Sequence, residues 1–226
     1  MIITGFTSKF GSNFEFAGKI ALIAFFGSGI AHKIRAILSL LSDWPTVDSA
    51  TRWTYLAAHV CGLIFLVLII ATTIIRHRPV RSAEGIEPRI SALVGTFLGG
   101  ALGLLPPVEI SPPVTLFAVG LSAVGAVLSA YVLLWLGRSF SVMAQARKLV
   151  TGGPYRIIRH PLYCCEELMA LGLMLLVLSP WAVLIVIVQW GFQLRRMVNE
   201  ERVLRAEFPA YDEYAARVPR LIPRLF

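Results

Sequence analysis

The chain reads as an all-α integral membrane protein: about four transmembrane helices, then a C-terminal helical hairpin and an amphipathic cytoplasmic tail. Three observations predict this. Of 226 residues, 57% are hydrophobic and only 15% are charged, whereas roughly a quarter of a soluble domain is charged. The apolar residues are gathered into runs near the length of about 20 that crosses a hydrocarbon core. The basic residues behind the net charge of +8 lie in short segments flanking those runs, where they set membrane orientation. Nucleic-acid binding is therefore not expected.

The first apolar run extends from Phe16 to about Ala31, is interrupted by His32, Lys33 and Arg35, and resumes to Leu41. Trp53 to Ile75 is uncharged, with His59 and a few threonines as its polar interruptions, and predicts a transmembrane helix. Pro79 stops it. A third span covers Ile90 to about Leu105, with Gly95, Gly99 and Gly103 at the four-residue spacing that lets a neighbouring helix approach closely. Prolines 106, 107, 112 and 113 bracket a turn, and Val114 to Leu136 forms the fourth span.

Apolar sequence resumes from Leu168 to Phe192. A single helix from Tyr163 to Asn199 would measure about 55 Å against a core of about 30 Å. Ser179-Pro180 offers the break, and two arms of roughly 17 to 20 residues fold back as a hairpin. Arg156 and Arg159 precede the first arm, Arg195, Arg196, Arg202 and Arg205 end the second, and the tip has no charge. With the N-terminus inside, all of the 21 Lys and Arg except Lys33, Arg35 and Arg52 become cytoplasmic. In the tail, Val203, Leu204, Phe208, Tyr211 and Tyr214 mix with charges before Pro219 and Pro223. That pattern predicts a segment resting on the membrane surface or on the cytoplasmic loop.

No repeat, low-complexity segment or removable signal peptide is read, so residues 1–226 form one domain: a helical scaffold to 136, then a loop, hairpin and tail from 137. Cys61, Cys164 and Cys165 make neither a Cys-x-x-Cys pair nor a zinc cluster, and no metal is expected. His32 and His59, each alone on an apolar stretch, read as hydrogen-bonded packing residues.

The stretch Arg147 to Tyr163 stands out among the connectors. It joins Gly152, Gly153 and Pro154 to two tyrosines, a histidine and the cations Arg147, Lys148, Arg156 and Arg159. Downstream, Gln189, Gln193, Arg196 and Glu200 share one face of a helix turning about 100° per residue. A polar stripe two turns into an apolar segment faces a cavity or a partner. Arg196 and Glu200 are placed to satisfy one another at i, i+4. Glu166 and Glu167 are adjacent and cannot both face one site.

These residues carry a resemblance. The string G-x-Y-x-x-x-R-H-P-x-Y at Gly153, Tyr155, Arg159, His160, Pro161 and Tyr163 is followed by E-E-x-x-L at Glu200, Glu201 and Leu204, F-P-x-Y-x-x-Y, and V-P-R-x-I-P. Together they resemble the isoprenylcysteine carboxyl methyltransferases and the related phospholipid methyltransferases over residues 147–226. The resemblance implies S-adenosyl-L-methionine as donor, contacted by Arg147, Lys148, Leu149, Val150, Tyr155, His160, Pro161, Leu162, Tyr163 and Glu200. It implies that Arg196 meets a lipophilic acceptor, so Arg196 and Glu200 are the candidate catalytic residues. Two departures leave the acceptor open: Arg147 stands where the eukaryotic carboxyl methyltransferases commonly have histidine, and Cys165 where the family has glycine.

The residue types suit that chemistry. A sulfonium, an aromatic base and an amino-acid zwitterion call for an acid, flat walls and a cation. An ionised carboxylate acceptor needs no general base, whereas an amine would require one, such as Glu166 or Glu200. The expected location is a multi-pass membrane protein with its site facing the cytoplasm, in the plasma membrane of a prokaryote or the endoplasmic reticulum of a eukaryote. The favoured acceptor is the carboxylate of an isoprenylcysteine-like substrate; the alternatives are a phospholipid amine N-methyltransferase and a NADPH-dependent membrane reductase, with Arg138, Arg147, Lys148, Arg156 and Arg159 on the cofactor phosphates.

Overall fold

The computed structural model describes the backbone of residues 3–42 and 49–222, and the side chains of 18–42 and 51–222. Pro223 and the rest of the tail to Phe226 lie outside the described residues, as does the Phe16 side chain. The helices are α1 (Ile3–Ser42), α2 (Ser49–Ile75), α3 (Glu87–Phe97), α4 (Pro112–Leu136), α5 (Pro161–Leu176), α6 (Pro180–Glu207) and α7 (Tyr211–Arg217). A two-residue ladder pairs β1 (Arg81–Ser82) antiparallel with β2 (Gln145–Ala146). Among the described residues, four helical stretches are long and apolar enough to cross a membrane: Gly18–Ser42, Thr51–Ile75, Pro112–Ser139 and Pro180–Glu207. The protein is a multi-pass, all-α membrane protein.

The first run is one uninterrupted helix despite its charges. Lys33 is accommodated because its Nζ lies 3.5 Å from His59 Nδ1 on α2, and because Gly62 leaves space there: a Cβ would meet Lys33 Cε at 3.2 Å. His59 therefore makes a hydrogen-bonded packing contact, as expected, but His32 is exposed. The third span differs from an ordinary transmembrane helix. Its α-helix is 11 residues long, and Leu98–Leu104 continue as a 3-10 helix of 7 residues. At their different rises the two together still cover about 30 Å. Glu87 at one end bonds Asn199 on α6, while beyond the other end Val108 N–H donates to Leu176 O at the hairpin tip.

Proline at the first turn opens α4, α5 and α6, where its missing N–H has no helical partner to lose. Between α5 and α6 the chain turns back at Val177–Ser179, and Ser179 caps α6 by accepting from Ala182 N–H at 3.2 Å. The arms are unequal, at 16 and 28 residues. The second, about 42 Å long, projects beyond a hydrocarbon core and carries its last turns into the loop and tail.

Close approach in the scaffold rests on other glycines than the spaced trio. At Gly125 of α4 a Cβ would stand 2.6 Å from Met169 N, and Gly172 of α5 lies against Ser122 and Ala118 of α4. Of the trio only Gly95 is crowded, by Arg196 and Gln193 of α6; Gly99 and Gly103 face open space. The loop ends of α2, α4 and α6 meet on one side, where Arg138 Nε donates to Ile75 O at 2.9 Å and Arg81 Nη1 donates to Ala206 O at 2.8 Å.

Candidate active site

Beyond Leu136 the chain leaves α4 through Gly137, at φ +49, and folds across the loop ends of the helices. Gly153 is required twice: its φ is +57, and any Cβ would collide with the indole of Trp135. The short 3-10 turn Gly153–Arg156 then directs Tyr155 inward. Burial, with the Glu200 carboxylate nearby, pushes the Tyr155 phenol well above its usual value, so it stays neutral.

The tail closes over this loop. Tyr214 donates to the Tyr155 carbonyl at 2.7 Å. Arg159 N–H donates to Pro219 O at 2.9 Å and His160 N–H to Arg220 O at 3.2 Å. Of the two resting places open in the sequence, the described part of the tail lies against the loop. Its hub is Glu201, whose side chain is only 2% exposed. Its carboxylate accepts from Arg159 Nε at 3.0 Å, from His160 Nε2 at 3.0 Å and from Arg220 Nε at 2.9 Å.

Between loop, hairpin and tail is a cavity of about 300 Å³. Of the residues expected at the donor, Arg147, Lys148, Leu149 and Val150 line it, the first buried and Lys148 exposed. Tyr155, His160, Leu162, Tyr163 and Glu200 line it as well, and so does Arg196. Pro161 is buried in the first turn of α5 and lies off the cavity wall. Farther along, the same cavity is walled by Phe25 of α1, Phe65 and Ile69 of α2, and Leu173 of α5.

Arg196 and Glu200 do not pair. Tyr163 donates its hydroxyl to Glu200 in a short hydrogen bond, and His160 stacks on Tyr163 with centroids 5.6 Å apart and planes 20° apart. Arg196 turns instead toward its own helix and the loop. Its Nη1 donates to Gln193 Oε1 at 2.6 Å, its Nη2 to Val142 O at 3.2 Å, and its guanidinium lies over the Tyr163 ring at 4.8 Å. Each charged group has found a nearer partner of better geometry than its i, i+4 neighbour.

The adjacent acids divide as their spacing requires. Glu166 lines the cavity and accepts from Gln193 Nε2 at 3.2 Å. Glu167 is buried and accepts from Gln189 Nε2 at 2.8 Å. Sequence reasoning assigned no role to Val142 and none at the site to Glu201, and read Gly95 only as a helix-packing residue. Glu201 was visible in the E-E pair, but its partners come from loop and tail, and no local spacing reveals them.

Comparison with known proteins bears on this region. Residues 114–210 match the profile of the family described as phospholipid methyltransferase. The chain is 33% identical over 114 residues to protein-S-isoprenylcysteine O-methyltransferase B of Arabidopsis thaliana, covering 47% of this chain and 58% of that protein. It is 38% identical over 78 residues to the cobalt-zinc-cadmium resistance protein CzcN of Cupriavidus metallidurans, covering 34% of this chain and 36% of that one. The protein-S-isoprenylcysteine O-methyltransferase of Schizosaccharomyces pombe is 32% identical over 113 residues, covering 47% of this chain and 48% of that protein. The chain thus spans less than two thirds of the length of these relatives.

Proposed function

We infer that this chain, whose C-terminal half belongs to the membrane methyltransferase family of the phospholipid and isoprenylcysteine enzymes, moves a methyl group from S-adenosyl-L-methionine to a lipophilic acceptor, in first place the carboxylate of an isoprenylcysteine-like molecule. The observation that carries this reading is one continuous cavity with two characters. At the loop it holds Glu200, Arg196 and Tyr155; among the spans it is walled by Phe25, Phe65 and Ile69.

The residues fit the donor's chemistry. Glu200 and Glu166 supply negative charge suited to a sulfonium and an ammonium. Arg147 and Lys148 supply cations for a carboxylate, and Tyr155 with Leu149 and Val150 supplies flat and apolar walls. Bound there, S-adenosyl-L-methionine would supply an electrophilic methyl group. The protein's own task is then positioning and exclusion of water, because an ionised carboxylate needs no proton removed. Arg196 is suited to holding that carboxylate by parallel hydrogen bonds that a lysine could not reproduce. Loop and tail, tied through Glu201, exclude water from above.

A phospholipid amine is the second reading, favoured by the family description of residues 114–210 and by Glu166 on the cavity wall as a base for an ammonium acceptor. By the positive-inside rule, we assign the loop side to the cytoplasm. The test is transfer of labelled methyl by the purified protein in nanodiscs, to a prenylcysteine analogue and to lipid extracts. Labelled prenylcysteine ester supports the first reading. Label confined to amine-headed lipids replaces it with the second, and no transfer to either overturns both.

A further inference from the structure

Resting on the reading of this cavity as a site for a lipophilic acid, we propose that Gln193 selects the acceptor's charge by holding Arg196 apart from Glu166. Gln193 lies on α6 one turn before Arg196 and is only 1% exposed. Its Oε1 accepts from Arg196 Nη1 at 2.6 Å, and its Nε2 donates to Glu166 Oε2 at 3.2 Å. A guanidinium can only donate and an ionised carboxylate can only accept, so a neutral amide in this one orientation satisfies both. Without that spacer, a buried arginine and a buried carboxylate facing the same cavity would pair directly and cancel.

With the spacer, Arg196 keeps its charge for a ligand. Among the described residues its hydrogen-bond and ring partners are all neutral: the Gln193 amide, the Val142 carbonyl at 3.2 Å and the Tyr163 ring, while the carboxylates of Glu166, Glu167 and Glu200 act on it without direct pairing. Its Nε is buried with no hydrogen-bond partner. A second, independent feature holds the arrangement. At Gly95 of α3 a Cβ would stand 2.8 Å from Arg196 Cδ and 3.2 Å from Gln193 Oε1. The absence of a side chain there seats the arginine stem and the amide together. Gly95 lies outside residues 114–210, so this seat belongs to the scaffold that precedes the family region.

The consequence is specificity. An anionic headgroup meets a guanidinium that no protein carboxylate pairs with directly. Replacing the Gln193 amide by a carboxylate would cancel the guanidinium within the protein and remove the preference.

The experiment measures binding of N-acetyl-S-farnesylcysteine and of its methyl ester by calorimetry to the full chain in nanodiscs, without donor. The wild type is expected to bind the acid about ten-fold more tightly than the ester, and Gln193→Glu to bring the two within about two-fold. Gln193→Met keeps the volume but lets Arg196 reach Glu166, and it should lower the ratio as well, so either variant that melts cooperatively serves. A wild type without acid preference overturns the proposal, as does a folded variant that retains the wild-type ratio. Donor binding, measured separately, keeps the two readings distinguishable. A charge preference abolished by Gln193→Glu in a protein that ignores S-adenosyl-L-methionine sustains this inference and sinks the methyltransferase. Donor binding without a charge preference does the reverse.

Discussion

Arg220 of the tail grips Glu201 of α6 with two hydrogen bonds, Nε to Oε1 at 2.9 Å and Nη2 to Oε2 at 2.8 Å. The same carboxylate holds Arg159 and His160, so one acid joins the loop, α6 and the tail. Glu201→Ala leaves Arg159 and Arg220 without their shared counterion and should destabilise the protein by about 3 to 5 kcal/mol. A shift in the denaturation midpoint in detergent measures it. Unfolding at the wild-type midpoint would show that the tail is held by something else.

Glu200 occupies the polar end of the cavity, and Tyr163 is its hydrogen-bond donor. Glu200→Gln keeps shape and an acceptor oxygen but removes the charge. Donor affinity should fall by about 1.5 to 3 kcal/mol, the worth of a hydrogen bond to a charged group, while the melting transition stays cooperative. Calorimetry with S-adenosyl-L-methionine reads the effect, and unchanged affinity counts against Glu200 as a donor residue.

Arg196 hydrogen-bonds Gln193 and Val142 and not Glu200, which permits a division of roles. Arg196→Lys should leave donor binding within a few-fold and reduce turnover of a carboxylate acceptor about ten-fold or more, since about 1.4 kcal/mol of lost alignment suffices. Loss of the donor as complete as in Glu200→Gln would assign both residues to one subsite.

The hairpin was legible because its determinants are local: the Ser179-Pro180 break and the basic ends are written in consecutive residues, whereas the second arm, at 28 residues, outruns the expected length. The polar stripe was legible for the same reason, as a helical period puts Gln189, Gln193, Arg196 and Glu200 on one face. Pairings across elements were not. Arg196 and Glu200 looked like partners because spacing on one helix was the only geometry in view, whereas Tyr163 and Val142 arrive from elsewhere. The glycines teach the same lesson. Four-residue spacing singled out Gly95, Gly99 and Gly103, but close packing is decided by what stands opposite, and that is Met169 at Gly125 and Arg196 at Gly95.

Orientation is checked from outside the cell. Arg159 and Arg205 lie at the loop end of the hairpin, with Ser179 at its tip. In a background lacking native cysteines, an impermeant thiol reagent applied to intact cells should label a cysteine at 179 and spare one at 205. Strong labelling at 205 would invert the topology.

The central claim, that the cavity under the loop is a methyl-donor site, meets its most direct test in ligand stabilisation of the detergent-purified protein. A ligand that binds only the folded state at about a hundred times its Kd adds about 2.7 kcal/mol. S-adenosyl-L-methionine should therefore raise the melting temperature by several degrees in the wild type and by less in Glu200→Gln, while NADPH leaves both unchanged. A rise with NADPH and none with S-adenosyl-L-methionine would contradict the account and make the cavity a reductase site.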